Sequence, residues 1–371
     1  MVMYRYLLLS LFMAVQALFA LQPAESEKLD EIENTWPFLK HHIRLARTQD
    51  RPAGQYEELL SSFQQRLMHE NAISDFSLRK PVQNPELLRQ ISQSDSFCSH
   101  ARLAVSREAG KVLVVWQDER NGQLNPDVYA QICDMNMNPL GDNFRVHAAD
   151  ANAQISPEVA LISNNQFCVV WEDYRDGDPK IFYSCVDSDG EIVKADTALS
   201  ASTAAQLSPA VSASDSGQIV AAWIEEASPH YSVSYTSLDP DFETVFLGTV
   251  KSASTDHQWS PDVAVLPDGQ SMVIWEEARY ESSDIFAQSL KPDGTKRGQS
   301  RRVNEQRDAE LQWKPSLAAA YDRFFAVWQD HGGTQPDIHA VWLNTYAMSQ
   351  TPEIRLNDRA GVNPVAAVRD D

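Results

Sequence analysis

The segment SPEVALISNNQFCVVWEDYRDGDPKIFYSCV, residues 156–186, holds three short apolar runs divided by Asn- and Gly-containing turns. The first follows Ser156-Pro157, the second ends at Trp171 and the third starts at Lys180. Short runs of β-branched and aromatic residues between turn formers read as strands rather than helices. The segment recurs along the chain. Apolar runs also end at Trp116 (VLVVW), Trp223 (IVAAW), Trp275 (SMVIW) and Trp328 (FFAVW), so successive Trp residues lie 55, 52, 52 and 53 apart. Pro157, Pro209, Pro261 and Pro315 precede their Trp by 14, 14, 14 and 13 residues. Third runs begin at Asp127, Lys180, Ser232, Asp284 and Asp337, and a shorter fourth follows each: FRVHA, TALSA, LGTVKS, RRVNE and EIRLN.

Four antiparallel strands in about 50 residues, repeated five times, is the pattern of a β-propeller. The expected fold is therefore all-β, with five complete four-stranded blades over residues 96–371. Trp116, Trp171, Trp223, Trp275 and Trp328 are expected to pack between blades, since large rings at equivalent points build such cores. Asn363-Pro364-Val365-Ala366-Ala367-Val368 matches the first strand of a further blade, and Leu88 to Ser92 stands where a fourth strand belongs, or else forms a short helix. A partial sixth blade is expected from these ends.

The pattern V-V-W-x-D-x-R-x-G-x-x-D-I-Y-x-Q resembles a repeat of secreted and surface bacterial propeller proteins. It stands here as VVWQDERNGQLNPDVYAQ, VVWEDYRDGDPKIFYS, VIWEEARYESSDIFAQ and AVWQDHGGTQPDIHAV. The third unit, AAWIEEASPHYSVSYT, lacks the Arg and the Gly. The resemblance implies fold rather than activity. Sialidases are similar in architecture, but their S-x-D-x-G-x-x-W box is absent.

Ahead of the repeats, Tyr4-Arg5 precede an apolar run from Leu7 to Leu21. This reads as a secretory signal over residues 1–20, giving a secreted, periplasmic or surface protein with no stable membrane span after cleavage. In residues 25–86, Tyr56, Leu59, Leu60, Phe63 and Leu67 fall on one helical stripe, so a small helical segment is expected to pack on the propeller.

With 31 Lys+Arg against 52 Asp+Glu, the net charge is -21, which disfavours nucleic acid and anionic membranes as partners. No C-x-x-C, G-x-S-x-G, H-E-x-x-H, P-loop or dinucleotide motif occurs, so no cofactor and no metal are expected. Pairing Asp173 with Lys180 across the hairpin sets Cys168 opposite Cys185, where a disulfide is allowed but not required. Cys98 and Cys133 are not placed for one another.

Strand two returns toward the connection that enters each blade. That topology gathers on one face the acids after each Trp: Asp118, Asp173, Glu225, Glu277 and Asp330. Residues repeated in every unit usually serve the repeat. The unit-specific His230, Tyr231, Trp259, Trp313 and His331 are the better ligand candidates. The leading functional expectation is an exported non-catalytic binding or scaffold propeller that presents this face to a glycan, peptide or protein. The alternatives are a glycoside hydrolase or lyase acting on a polysaccharide, and a structural envelope component or shortened relative of a six-bladed parent. Two pattern-breaking acids inside the central channel would favour the enzyme.

Overall fold

The computed structural model describes residues 90–148, 151–227, 230–250, 256–279, 282–305, 311–331, 336–357, 361 and 363–368. The signal expected over 1–20 and the helical segment expected over 25–86 lie outside the described residues.

Five antiparallel sheets of four strands follow one another along the chain. The first contains β1 (Cys98–Ser106), β2 (Lys111–Asp118), β3 (Asp127–Asp134) and β4 (Phe144–Arg145). The second contains β5 (Gln154–Leu161), β6 (Phe167–Asp173), β7 (Lys180–Val186) and β8 (Ile192–Ala198). The third contains β9 (Gln206–Ala213), β10 (Ile219–Ala227), β11 (His230–Leu238) and β12 (Thr244–Thr249). The fourth contains β13 (His257–Val265), β14 (Ser271–Arg279), β15 (Ser282–Leu290) and β16 (Arg301–Arg302). The fifth contains β17 (Gln312–Ala320), β18 (Arg323–Asp330), β19 (Asp337–Asn344) and β20 (Ile354–Arg355). The first strands β1, β5, β9, β13 and β17 neighbour one another in that order, so each sheet is a blade and its first strand is innermost. The fold is a five-bladed β-propeller.

All five Trp residues that close second-strand runs are buried, four of them against the preceding blade. Trp171 packs with Leu113, Val115 and Ala130 of the first blade, and Trp223 with Val170 and Ile181 of the second. Trp275 packs with Ala222 and Val233, and Trp328 with Ile274 and Ile285. Among the described residues no blade precedes Trp116, which packs with Val114, Cys133 and Ile91, the last from the segment ahead of β1. Ile91 therefore serves as a cover for the first blade. The expectation of a strand or helix at Leu88 to Ser92 is corrected for its described residues, Gln90 to Ser92, which form neither. The physical reason is local: the Ile91 carbonyl accepts from the Asn143 side-chain amide at 3.0 Å rather than from a neighbouring strand.

One irregularity recurs in every innermost strand. Its register with the second strand slips at His100, Ser156, Ser208, Ser260 and Lys314, each with φ between 46° and 54°. Left-handed backbone is unfavourable for residues with a side chain. Its recurrence at equivalent points marks a bulge built into the repeat, and bulges re-aim the side chains that follow. Asn363, before Pro364, has the same conformation at φ 51°. Its N–H donates to Gln329 Oε1 at 3.2 Å, as Ser208 N–H donates to Glu172 Oε1 at 2.8 Å. Ala366 N–H donates to Ser316 Oγ at 3.1 Å, as Leu317 N–H donates to Asp262 Oδ2 at 2.8 Å. Residues 363–368 thus dock on the fifth blade as each blade docks on the one before it, at a sixth innermost position, without forming a ladder.

Cys168 and Cys185 are register partners on β6 and β7, as the hairpin arithmetic requires. Both are buried free thiols. A hydrogen bond with Cys185, together with burial, pushes the Cys168 thiol well above its ordinary range.

Candidate functional site: channel acids and repeat acids

The acids after each Trp were expected on an open, acidic face. Asp118, Asp173, Glu277 and Asp330 are instead buried. The repeat chemistry explains why. Asp118 and Asp173 each accept the indole N–H of the Trp two residues earlier, at 2.9 Å. Each is also paired with the Arg two residues later, at 2.7 Å to Arg120 and 2.6 Å to Arg175. The guanidinium groups lie over the rings of Tyr129 and Phe182, 3.8 and 4.1 Å from their centroids, where cation–π attraction adds to the ion pair. Burial opposes ionisation of Asp118, but hydrogen bonds from Arg120, Ser96 and Trp116 prevail and hold its pKa at about 2. Glu225 accepts from the hydroxyls of Ser202 and Ser234. These acids fasten loops and rings.

The unit-specific ligand candidates need a similar correction. Tyr231, Trp259 and Trp313 are buried and offer no open ring face. Tyr231 and Trp259 pack at 4.9 Å between centroids, and His257 stacks on Trp259 at 5.1 Å. His230 lies edge-on to His257 at 5.3 Å, and His331 covers Trp313 at 3.9 Å. Only His230 and His331 of the five retain partial exposure. Tyr231 and Trp259 meet across the boundary of the third and fourth blades, while Trp313 and His331 pack within the fifth.

The channel holds the residues that sequence reasoning passed over. Two positions beyond each bulge stand Arg102, Glu158, Ala210, Asp262, Ser316 and Val365. Adjacent members touch across blade boundaries: Arg102 Nε pairs with Glu158 Oε1 at 2.7 Å, and Ser316 Oγ donates to Asp262 Oδ2 at 2.9 Å. The charge of Arg102, in the first blade, also acts on Asp262 in the fourth. These six positions therefore ring the axis, and only two of them carry acids. Burial pushes the Asp262 carboxyl above its ordinary pKa, against hydrogen bonds from Leu317 N–H, Val263 N–H and Ser316 Oγ and against the field of Arg102. Glu158 is half-buried and held by the Arg102 guanidinium. The two carboxyl groups thus sit in unlike environments, one raised by burial and one paired with a cation. The signal was present in SPEVAL and SPDVAV beside SPAVSA and KPSLAA, but reading it requires knowing that the bulge aims this position at the axis.

No family model and no curated protein matches this sequence. Similar solved structures include propellers of glycoside-cleaving enzymes. A thermostable family-43 glycoside hydrolase is 13% identical, with 72% of this chain and 95% of that chain covered and a TM-score of 0.41. A Penicillium chrysogenum α-L-arabinanase complexed with arabinobiose is 12% identical over 74% of this chain and 86% of that one, TM-score 0.47. A Hadza microbial sialidase is 12% identical over 71% of this chain and 59% of that one, TM-score 0.46. The shared feature is the fold. The leading expectation of a non-catalytic binding or scaffold propeller is corrected to the extent that the solved structures found are named as glycoside-cleaving enzymes rather than as binding or scaffold proteins. Likeness at this level carries architecture alone, so the functional reading rests on the channel residues.

Proposed function

We propose that this chain cleaves a polysaccharide at its central channel, as a glycoside hydrolase or lyase. The observation that carries the reading is the placement of Glu158 and Asp262: two acids that break the repeat at the same innermost-strand position, linked through Arg102. Asp262, desolvated and with a raised pKa, is suited to protonate a leaving oxygen. Glu158, salt-bridged to Arg102, is suited to act as base or nucleophile. Arg102 pairs directly with Glu158, while burial raises the Asp262 carboxyl against the field of the same guanidinium. An exported location, from the signal read over residues 1–20, would place such an enzyme where polysaccharides are found. Likeness to the secreted bacterial propeller repeat supports the same placement.

The test is release of reducing or unsaturated ends from a panel of plant, microbial and animal polysaccharides by the full chain. Asp262→Asn is expected to lower the rate by about two to four orders of magnitude, as removal of a general acid does. Because catalysis needs Asp262 protonated, activity should fall as pH rises through its elevated pKa. A panel-wide absence of cleavage, or an Asp262→Asn variant as active as the parent, would refute the proposal.

A further inference from the structure

One cross-strand pair departs from the repeat at both of its members. Three residues before the Trp that closes each second-strand run stand Leu113, Cys168, Val220, Met272 and Phe325. Their register partners on the third strands are Ile132, Cys185, Ser237, Ser289 and Trp342. Among these five pairs, only that of the second blade sets two thiols against one another. Directly opposed residues of an antiparallel pair hold their Cα atoms about 4.5 to 5.5 Å apart, inside the range of about 4.4 to 6.8 Å that disulfides span. The two thiols also share a hydrogen bond, so their sulfurs meet on one side of the sheet. The other cysteines have different register partners: Cys98 faces Asp118 and Cys133 faces Val112.

The surroundings decide when this pair can react. Cys168 and Cys185 are fully buried and pack with Ile219, Ala221 and Trp223 of the third blade. An oxidant reaches them while the second-blade hairpin stands without that cover. Once the third blade has docked, its apolar side chains exclude the oxidant. Burial and the shared hydrogen bond then push the Cys168 thiol well above its ordinary range. The thiolate is the attacking species, so exchange in the folded protein is slow.

We propose that Cys168 and Cys185 form a disulfide that staples β6 to β7, made by thiol–disulfide exchange before the third blade docks and sealed by that blade afterwards. With glutathione disulfide as the oxidant, one cysteine thiolate attacks it and releases a first glutathione. The second cysteine thiolate then attacks the protein sulfur of the mixed disulfide and releases the other glutathione. One disulfide is consumed and one is made, and the two cysteine protons end on the two released glutathione thiols. The closed loop spans Trp171, Asp173, Arg175 and Phe182, so the bond restrains the set that fastens this blade.

Two routes to the oxidised protein test this. The full chain, unfolded in urea and reduced, is refolded with or without glutathione disulfide; separately, the folded reduced chain receives the same oxidant. Mass spectrometry of peptides after alkylation without reductant detects the bond. Refolding with oxidant is expected to give a Cys168–Cys185 crosslink in most chains and a thermal midpoint raised by about 5 °C over the reduced form. The folded reduced chain is expected to form the bond about tenfold more slowly or less, and Cys185→Ala should show no midpoint rise with oxidant. Protein made in an oxidising secretory compartment gives the same readout without refolding. No crosslink by refolding or by secretion, or a crosslinked chain no more stable than the reduced one, would overturn the staple. Equally fast oxidation of the folded chain would overturn its sealing by the third blade.

Discussion

The second and fifth blades start from the same sequence pattern and solve one electrostatic problem differently. In the second, Trp171, Asp173, Arg175 and Phe182 form a closed set in which the indole N–H and the guanidinium satisfy the buried acid. In the fifth, Trp328 and Asp330 are retained, but the loop carries no arginine and the ring becomes His339, beside Glu353. The comparison teaches where function is to be sought in a repeat protein. Residues present in most blades neutralise and fasten one another. Residues that depart from the pattern, such as Glu158 and Asp262 in the channel, are left with chemistry the repeat does not use.

The largest effect expected from breaking this comparison is in the shared core. Trp171→Ala and Trp328→Ala should each cost about 3 to 5 kcal/mol, as large buried truncations do, because both rings pack on a preceding blade. Equilibrium urea denaturation measures it. A neutral Trp328→Ala would show that the fifth blade is held by something other than its core. Next in size, Asp173→Ala should cost about 3 kcal/mol, since it leaves the Arg175 guanidinium and an indole N–H without their shared acceptor.

A smaller effect separates the repeat acids from the channel acid by pH. Hydrogen bonds depress the pKa of Asp118 to about 2, below that of an unfolded aspartate near 3.8. Its contribution is therefore complete above about pH 5 and is lost as pH falls toward 2, with stability decreasing on the acid side. Asp262 has the opposite sign: its raised pKa favours the folded state at low pH, and that contribution is lost as pH rises through it. Denaturation midpoints across pH 2–7 for the parent and Asp118→Asn should converge at the acid end. Curves that stay parallel throughout would contradict the hydrogen-bonding described for Asp118.

The fold was legible because its determinants are local and periodic. The Trp spacing located every second strand, and pairing Asp173 with Lys180 reproduced the Cys168–Cys185 register. The site was less legible for two physical reasons. The bulge at Ser156 and Ser260 redirects the residues after the following Pro, so simple alternation does not show that Glu158 and Asp262 hold equivalent innermost-strand positions. Asp330, His339 and Glu353 stand on separate segments of the fifth blade and form no contiguous motif. Of the ligand candidates His230, Tyr231, Trp259, Trp313 and His331, the middle three are buried: departure from the repeat marks a residue as special without saying whether it faces solvent.

The most direct measurement is a paired one: specific activity on the best polysaccharide and thermal midpoint, for Glu158→Gln and Asp173→Asn side by side. Glu158→Gln is expected to lose at least a hundredfold in activity with a midpoint shift of no more than a few degrees, because its partly exposed pair with Arg102 contributes about 1 kcal/mol or less. Asp173→Asn is expected to lower the midpoint substantially while keeping its activity below that temperature. An active Glu158→Gln, or a stable but inactive Asp173→Asn, would contradict the division between the acids that hold the blades and the acids that do the chemistry.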